Sequence, residues 1–206
     1  MAAMDPPLHE RVYEGIKADY IAGHFLPGHK IDIQDLATRH RSSKTPVREA
    51  AFILVGEGLL THHDDGGFVV PCIGPTELVD LLTLHMHLMA IVLSHLRESA
   101  IRSALGPILI QVREITPVGV ANLANDIFAS LAEATGNHQT LQLVRHLNER
   151  LHYARIAAAV HAEAAHKELQ TIIDLDVANL LKATRRRIDA YHVRKISYQQ
   201  NIIQDH

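Results

Sequence analysis

A single hairpin signal, between residues 59 and 71, fixes the plan of this 206-residue chain. Leu59-Leu60-Thr61-His62 and Phe68-Val69-Val70 are short apolar runs of strand character. Asp64-Asp65-Gly66-Gly67 between them is built from residues that tolerate the positive φ of a tight turn. Three helical segments precede the hairpin. The first, His9 to His24, sets Val12, Ile16, Tyr20 and Ile21 at helical spacing and stops at Gly23, and Leu26-Pro27-Gly28 then turns the chain. Ile31 and Ile33 sit in a short extended stretch that leads into a brief second helix over residues 33–38, broken by Arg41-Ser42-Ser43. The third helix starts near Thr45-Pro46, because proline in a first helical turn gives up no hydrogen bond. Val47, Ala50, Ala51, Leu54 and Val55 form its apolar face, and Gly58 closes it.

After the hairpin the pattern is helical throughout. Cys72 to Pro75 makes a short linker, with Thr76 and Glu77 as helix-starting residues. Amphipathic segments then run over Thr76–Ser103, Gly106–Ile115, Val118–Thr135, His138–Val160, His161–Leu175 and Val177–Gln200. Pro107, Pro117 and Gly136-Asn137 mark boundaries among them. The predicted fold is mainly α. Residues 1–71 form a winged helix-turn-helix of three helices plus a β-hairpin, 72–75 a linker, and 76–206 an all-α bundle. In a winged helix the third helix enters the major groove of DNA, and the hairpin is expected over the backbone or minor groove.

Composition narrows the function classes. Hydrophobic residues make up 47% and charged residues 21%, which permits a sizeable core. The most apolar run, Leu81 to Leu93, is interrupted by His85 and His87 and falls short of a membrane span. The N-terminus, with Asp5, Pro6 and Pro7, lacks a secretory pattern, so a cytoplasmic protein is expected. One cysteine, Cys72, leaves no internal disulfide and no cysteine-rich zinc module. A net charge of −3 does not advertise nucleic acid, but its distribution does: Ala37 to Arg48 holds Arg39, Arg41, Lys44 and Arg48 and no acid. The sixteen histidines are scattered. Metal binding, pH sensing or no special role would each fit them.

Leu26-Pro27-Gly28, Asp35-Leu36-Ala37, Ser43-Lys44-Thr45-Pro46-Val47-Arg48-Glu49-Ala50, Glu57-Gly58-Leu59-Leu60 and Gly66-Gly67-Phe68-Val69 follow one another in the order of a known pattern. On these residues the first domain resembles the GntR family of bacterial transcription regulators. The resemblance implies DNA contact by the start of the recognition helix and the wing-tip glycine, here Ser43, Lys44, Thr45, Arg48 and Gly66. Arg41 stands where that family ends its second helix with glycine, and Lys44 where arginine is usual. Arg48 suits a bidentate contact to guanine, whereas Lys44 and Arg41 suit phosphates. A salt bridge from Arg48 to Glu49 or Asp35, and a simple capping role for Thr45, are the structural alternatives.

The second domain resembles the FCD ligand-binding domain of the FadR subfamily through Leu131-Ala132-Glu133-Ala134-Thr135-Gly136-Asn137, His166-Lys167-Glu168-Leu169 and Arg187-Ile188. That resemblance implies a metal held by an Asp, a His one turn later and two further histidines. Here those positions carry Ala124, Phe128, His166 and Arg187. One imidazole does not hold zinc, which takes about four donors, so no metal and no cofactor are expected. Asn125 and Asp126 would offer an oxygen only in a shifted register. His85-Met86-His87 does not converge on one ion, since alternate helical residues diverge. Arg187 in a metal position suggests direct capture of an anion, so the expected effector is a small carboxylate-like or polar metabolite touching His85, Asn125, His166 and Arg187. The alternatives are a core role for His85 and a surface role for Arg187 within Arg185-Arg186-Arg187.

The resulting expectation is a regulator, more often repressor than activator in this family, that binds a pseudo-palindromic double-stranded operator as a homodimer. Leu78, Leu81, Leu82, Leu88 and Ile91 exceed what one buried helix face needs and are candidates for its interface. A transition-metal-responsive regulator using the C-terminal histidines is the alternative, and a histidine-rich metal-dependent hydrolase the remote one. No nucleophile elbow, phosphate loop or dinucleotide fingerprint supports an enzyme.

Overall fold

A computed structural model of the chain describes residues 8–111 and 114–205. It divides into two compact units, Met1–Cys72 and Ile73–His206. The first contains α1 (Leu8–Ile21), α2 (Ile33–Arg39), α3 (Lys44–Gly56), β1 (Thr61–His62) and β2 (Phe68–Val69). Val12, Ile16 and Tyr20 from α1 meet Leu36 and Val47, Ala50, Ala51 and Leu54 in a sealed core that Leu59 and Phe68 close from the hairpin side. Asp32 caps α2 by accepting from the Gln34 and Asp35 amides at 2.7 and 3.2 Å. Asp19 of α1 accepts from Arg39 at 3.1 Å and pairs with His40 at 3.0 Å, tying the first helix to the end of the second.

The wing is wider than a hairpin. β1 and β2 pair antiparallel with Thr61 opposite Val69 and His62 opposite Phe68. The extended stretch before α2 joins them, because Ile31 donates its amide to the Phe68 carbonyl at 2.8 Å and Lys30 bridges Val69. Gly66 and Gly67 at the tip have φ of 77° and 92°, which a side chain at either position would strain.

The second unit is all helical: α4 (Pro75–Ser94), α5 (Glu98–Leu109), α6 (Pro117–Glu133), α7 (His138–Arg150), α8 (His152–Ala158), α9 (Ala162–Ile173) and α10 (Leu180–Gln204). The mainly α architecture, a winged helix-turn-helix and a helical bundle, is therefore the one the patterning predicts. α6 is the central helix. It buries Val120, Ala121, Leu123, Ala124, Ile127, Phe128, Leu131 and Ala132 and touches α4, α5, α7, α8 and α9. α4 is apolar and long enough by composition to cross a membrane, yet it packs along α10 and buries Leu81, Leu82, Met89, Val92 and Leu93.

Three boundaries differ from the sequence expectation. Residues 76–103 are not one helix, since α4 ends at Ser94 and α5 starts at Glu98. The Ser94 hydroxyl donates to the Ile91 carbonyl at 2.7 Å, so side chains satisfy the last turn without a glycine or proline to announce the break. Pro107 lies inside α5, two residues before its end, so proline here sits in a final turn rather than at a boundary. The expected segment over residues 106–115 is helical only to Leu109, and residues 112 and 113 lie outside the described residues. Residues 138–160 break at the fully buried Leu151, where α8 takes over from α7.

Arg41 adopts φ 48°, a left-handed conformation suited to glycine. Arg41→Gly is expected to stabilise the first unit by about 0.5–1 kcal/mol, the relieved strain less the freedom glycine adds to the unfolded chain. Urea unfolding will check this, with Arg41→Ala, which keeps the Cβ, leaving stability unchanged.

Candidate functional site

The start of α3 and the wing tip border one cleft. Ser43 is the residue before α3, and its side chain makes no capping hydrogen bond. Lys44, Thr45 and Arg48 follow on the first turns, and all of them, with Arg41 and Gly66, are exposed. Lys44, Arg48 and Gly66 line the cleft together. Ser43, Thr45 and Arg41 lie outside its lining. Among the described residues no ion pair holds Arg41, Lys44 or Arg48. Asp35, one alternative partner for Arg48, is bound to Arg39 at 2.8 Å instead. Free cations beside an open cleft match the requirement of a phosphate and base-edge reader.

Sequence reasoning missed three residues of this cleft: Lys30, Phe52 and His62. Lys30 donates to the Asp65 carbonyl at 3.2 Å, beside the wing tip. Phe52 is 56% exposed, one turn beyond Arg48, and its ring meets Phe68 edge-on at 5.2 Å and His62 at 5.8 Å. These contacts fix the wing against the recognition helix. Nothing in a linear motif marks them, because their role depends on strand register.

In the second unit the residues expected to hold an effector do not meet in one pocket, and three need correction. Arg187 is bound to the Asp174 carboxylate at 2.9 Å and the Asp174 carbonyl at 2.8 Å, so its charge is spent on the end of α9. His166 contacts Gln170 one turn along the same helix at 3.3 Å. His85 is fully buried in a hydrogen-bonded network rather than a pocket wall. Asn125 belongs to that network too, through Arg155 and His152. Among the described residues no three His, Cys, Asp or Glu side chains converge as a metal site.

The network itself was not legible in sequence. His85 of α4 contacts His192 of α10 at 2.7 Å (Nδ1 to Nε2) and Asn148 of α7 at 3.1 Å (Nε2 to Oδ1). His192 Nδ1 donates to the Ile188 carbonyl at 2.8 Å. Arg155 of α8 donates Nη1 to the Oδ1 atoms of both Asn148 and Asn125, and Asn148 Nδ2 donates to the Asn125 carbonyl at 3.1 Å. Phe128 stacks beside both imidazoles and the guanidinium. Arg155 also lines a cavity of about 50 Å³ whose other walls include Leu82, Val120, Ala124, Leu151 and Ala159.

This chain of bonds contains a proton conflict. The Ile188 carbonyl and Asn148 Oδ1 both accept, so both outer ring nitrogens must carry protons, and a third proton must lie between the rings. Turning the Asn148 amide would set its NH2 against Arg155 and its oxygen against the Asn125 carbonyl. A fully bonded imidazole pair is therefore cationic, while burial favours the neutral pair. Burial, with Arg155 and His192 adding repulsion, holds His85 well below its ordinary pKa, although Asn148 pulls the other way. Burial likewise lowers His192 to about 4 against the opposing pull of the Ile188 carbonyl. Arg155 and Tyr191 are the other titratable groups beside the pair. The unfolded chain takes up protons near pH 6.5 and the fold resists them until about pH 4, so stability is full above 6.5 and is lost as pH falls toward 4. His192 alone is expected to cost about 2 kcal/mol between pH 6.5 and 5. Urea unfolding at the two pH values checks this, and His192→Gln should flatten the slope.

Comparison with known proteins agrees with the first unit's geometry. Residues 8–70 match the family model described as bacterial regulatory proteins, gntR family. The chain is 29% identical over 149 residues to the Nta operon transcriptional regulator of Aminobacter aminovorans, covering 66% of this chain and 67% of that protein. It is 32% identical over 82 residues to the HTH-type transcriptional repressor GlaR of Escherichia coli, spanning 40% of this chain and 37% of the relative. Its fold is similar to that of E. coli McbR/YncC, with a TM-score of 0.72 at 16% identity over 96% of this chain and 99% of the other. Residues 8–70 are thus similar to the gntR-family DNA-binding domain, and about two thirds of the chain is similar to a bacterial transcriptional regulator.

Proposed function

We propose that this chain is a cytoplasmic repressor that binds a pseudo-palindromic operator as a homodimer and releases or retains it in response to a small metabolite. Residues 1–71 would read DNA, 72–75 link, and 76–206 dimerise and sense, as an FCD-like domain. The observation that carries the reading is the cleft where Lys44, Arg48 and Gly66 meet, with neither cation in an ion pair among the described residues. Arg48 reads a base, and Lys44, Arg41, Ser43 and Thr45 hold phosphates. Arg48→Ala is expected to cost about 1–3 kcal/mol and relax preference at one position per half-site. Lys44→Ala should weaken all duplexes alike and flatten the salt dependence. Duplexes selected from a randomised library by the wild-type chain provide the test. Unchanged selectivity in Arg48→Ala would refute the assignment.

The dimer reading rests on α4. Leu81 and Leu82 prove buried, and Leu78 and Leu88 pack partly against the core, so of the five apolar residues singled out in sequence only Ile91 stays exposed. Leu84 joins it, and the two stand 55% and 54% exposed, seven residues apart on one helix face. Covering them requires a second apolar surface, and a second copy supplies one by two-fold symmetry. Leu84→Glu with Ile91→Glu is expected to give monomers at micromolar concentration in sedimentation, with half-site DNA binding retained. A wild-type monomer with operator bound would rule the dimer out.

A further inference from the structure

We propose that the cavity beside Arg155 binds a short-chain monocarboxylate, its two oxygens on the Nε–Nη2 edge of the guanidinium and its carbons against the apolar wall. The inference deepens the metabolite-responsive reading above and rests on it. Arg155 is only 7% exposed, yet no carboxylate faces it in the network. Its Nη1 donates to two neutral amide oxygens, while Nε and Nη2 are buried without a hydrogen-bond partner among the described residues. Tyr191, by its charge and by a side-chain hydrogen-bond interaction with the guanidinium, opposes the lowering of the Arg155 pKa by burial, yet no partner among the described residues reaches Nε or Nη2 in full hydrogen-bond geometry. The Phe128 ring face, 5.3 Å from the guanidinium carbon, is a further weak support. Buried cations are paired in folded proteins, so a charge left with two parallel donors asks for an anion of matching spacing. A carboxylate has that spacing.

The cavity states the rest of the ligand. Its 50 Å³ has room for roughly four or five non-hydrogen atoms, the size of acetate or propionate. Leu82, Val120, Ala124 and Leu151 offer alkyl contact, and the buried Tyr191 adds a neutral hydroxyl but no second cation at depth. The outer wall carries Lys195 and Glu168, but they neutralise each other at 3.2 Å, and Arg194 also holds Glu168 at 2.7 Å. A second carboxylate therefore finds no free cation there. This position differs from the Arg187 and His166 pair suggested by sequence, and it needs no metal.

The test uses the full-length chain in chloride-free buffer, with propionate as probe and propionamide and succinate as controls. Titration calorimetry is expected to show propionate binding at least tenfold more tightly than either control. Arg155→Met replaces a buried charge with an apolar chain of similar length, and it also takes a donor from the Asn125 and Asn148 oxygens, so its fold is checked first. It should keep the helical circular dichroism and the selected-duplex affinity while losing at least tenfold in propionate affinity. Arg155→Lys keeps the charge without the paired donors and should also lose most of the binding, which covers the case where the methionine variant fails to fold. Equal binding of propionate and propionamide, or wild-type propionate affinity in Arg155→Lys, overturns the site. Duplex affinity that propionate leaves unchanged, despite binding through Arg155, overturns the metabolite-responsive reading and not the site.

Discussion

The helical unit is organised around a buried positive charge that no acidic side chain offsets. Arg155 reaches from α8 to amide oxygens on α6 and α7, and the same Asn148 oxygen faces His85 of α4, which in turn meets His192 of α10. Five helices are thereby tied at one depth by polar contacts, where apolar packing alone would leave their rotation and register loosely set. The cost of this arrangement is electrostatic. A guanidinium and an imidazole pair compete for very few acceptors, and the low dielectric that strengthens each bond also magnifies each unmet one. The buried network holds a guanidinium and no carboxylate. A bound anion would supply a negative charge there, and would make a proton shared by His85 and His192 less costly.

The first unit was largely legible in sequence because its constraints are local. Pro46 fixes its own φ, Gly58 and Gly66-Gly67 permit the positive φ that their turns use, and together they bracket the third helix and the hairpin within a few residues. Arg41 was legible as an oddity, and its left-handed φ shows that the backbone keeps the conformation although the sequence does not carry glycine. Lys30, Phe52 and His62 were not legible. Their place in the cleft follows from which strand pairs with which, and register is a property of the assembled sheet.

The second unit was legible as helices and illegible as a site. Helical periodicity located α6, α9 and α10 to within a few residues, but the breaks at His95 and Leu151 carry no glycine or proline. Family register pointed to Arg187 and His166, both of which find partners within their own local structure. Arg155 and His192 gave no linear signal at all. Each lies in an ordinary amphipathic segment, and only the crossing of α8 and α10 beside α6 turns them into neighbours of one aromatic ring.

The pairing of residues 30 and 31 with β2 changes what the wing is mechanically. A two-stranded hairpin on a helix end is a flap that twists at its base. This wing is stitched along its second edge to the segment entering α2, and braced from α3 by Phe52. It is a stiff arm at a fixed distance from Arg48. In the proposed complex, with the wing over the backbone or minor groove, such an arm would not adapt to the groove, and the duplex would have to supply the matching width. Sequences whose minor groove already has that width would then pay less deformation energy on docking. Shape would become a second channel of specificity, read at base pairs that no side chain touches.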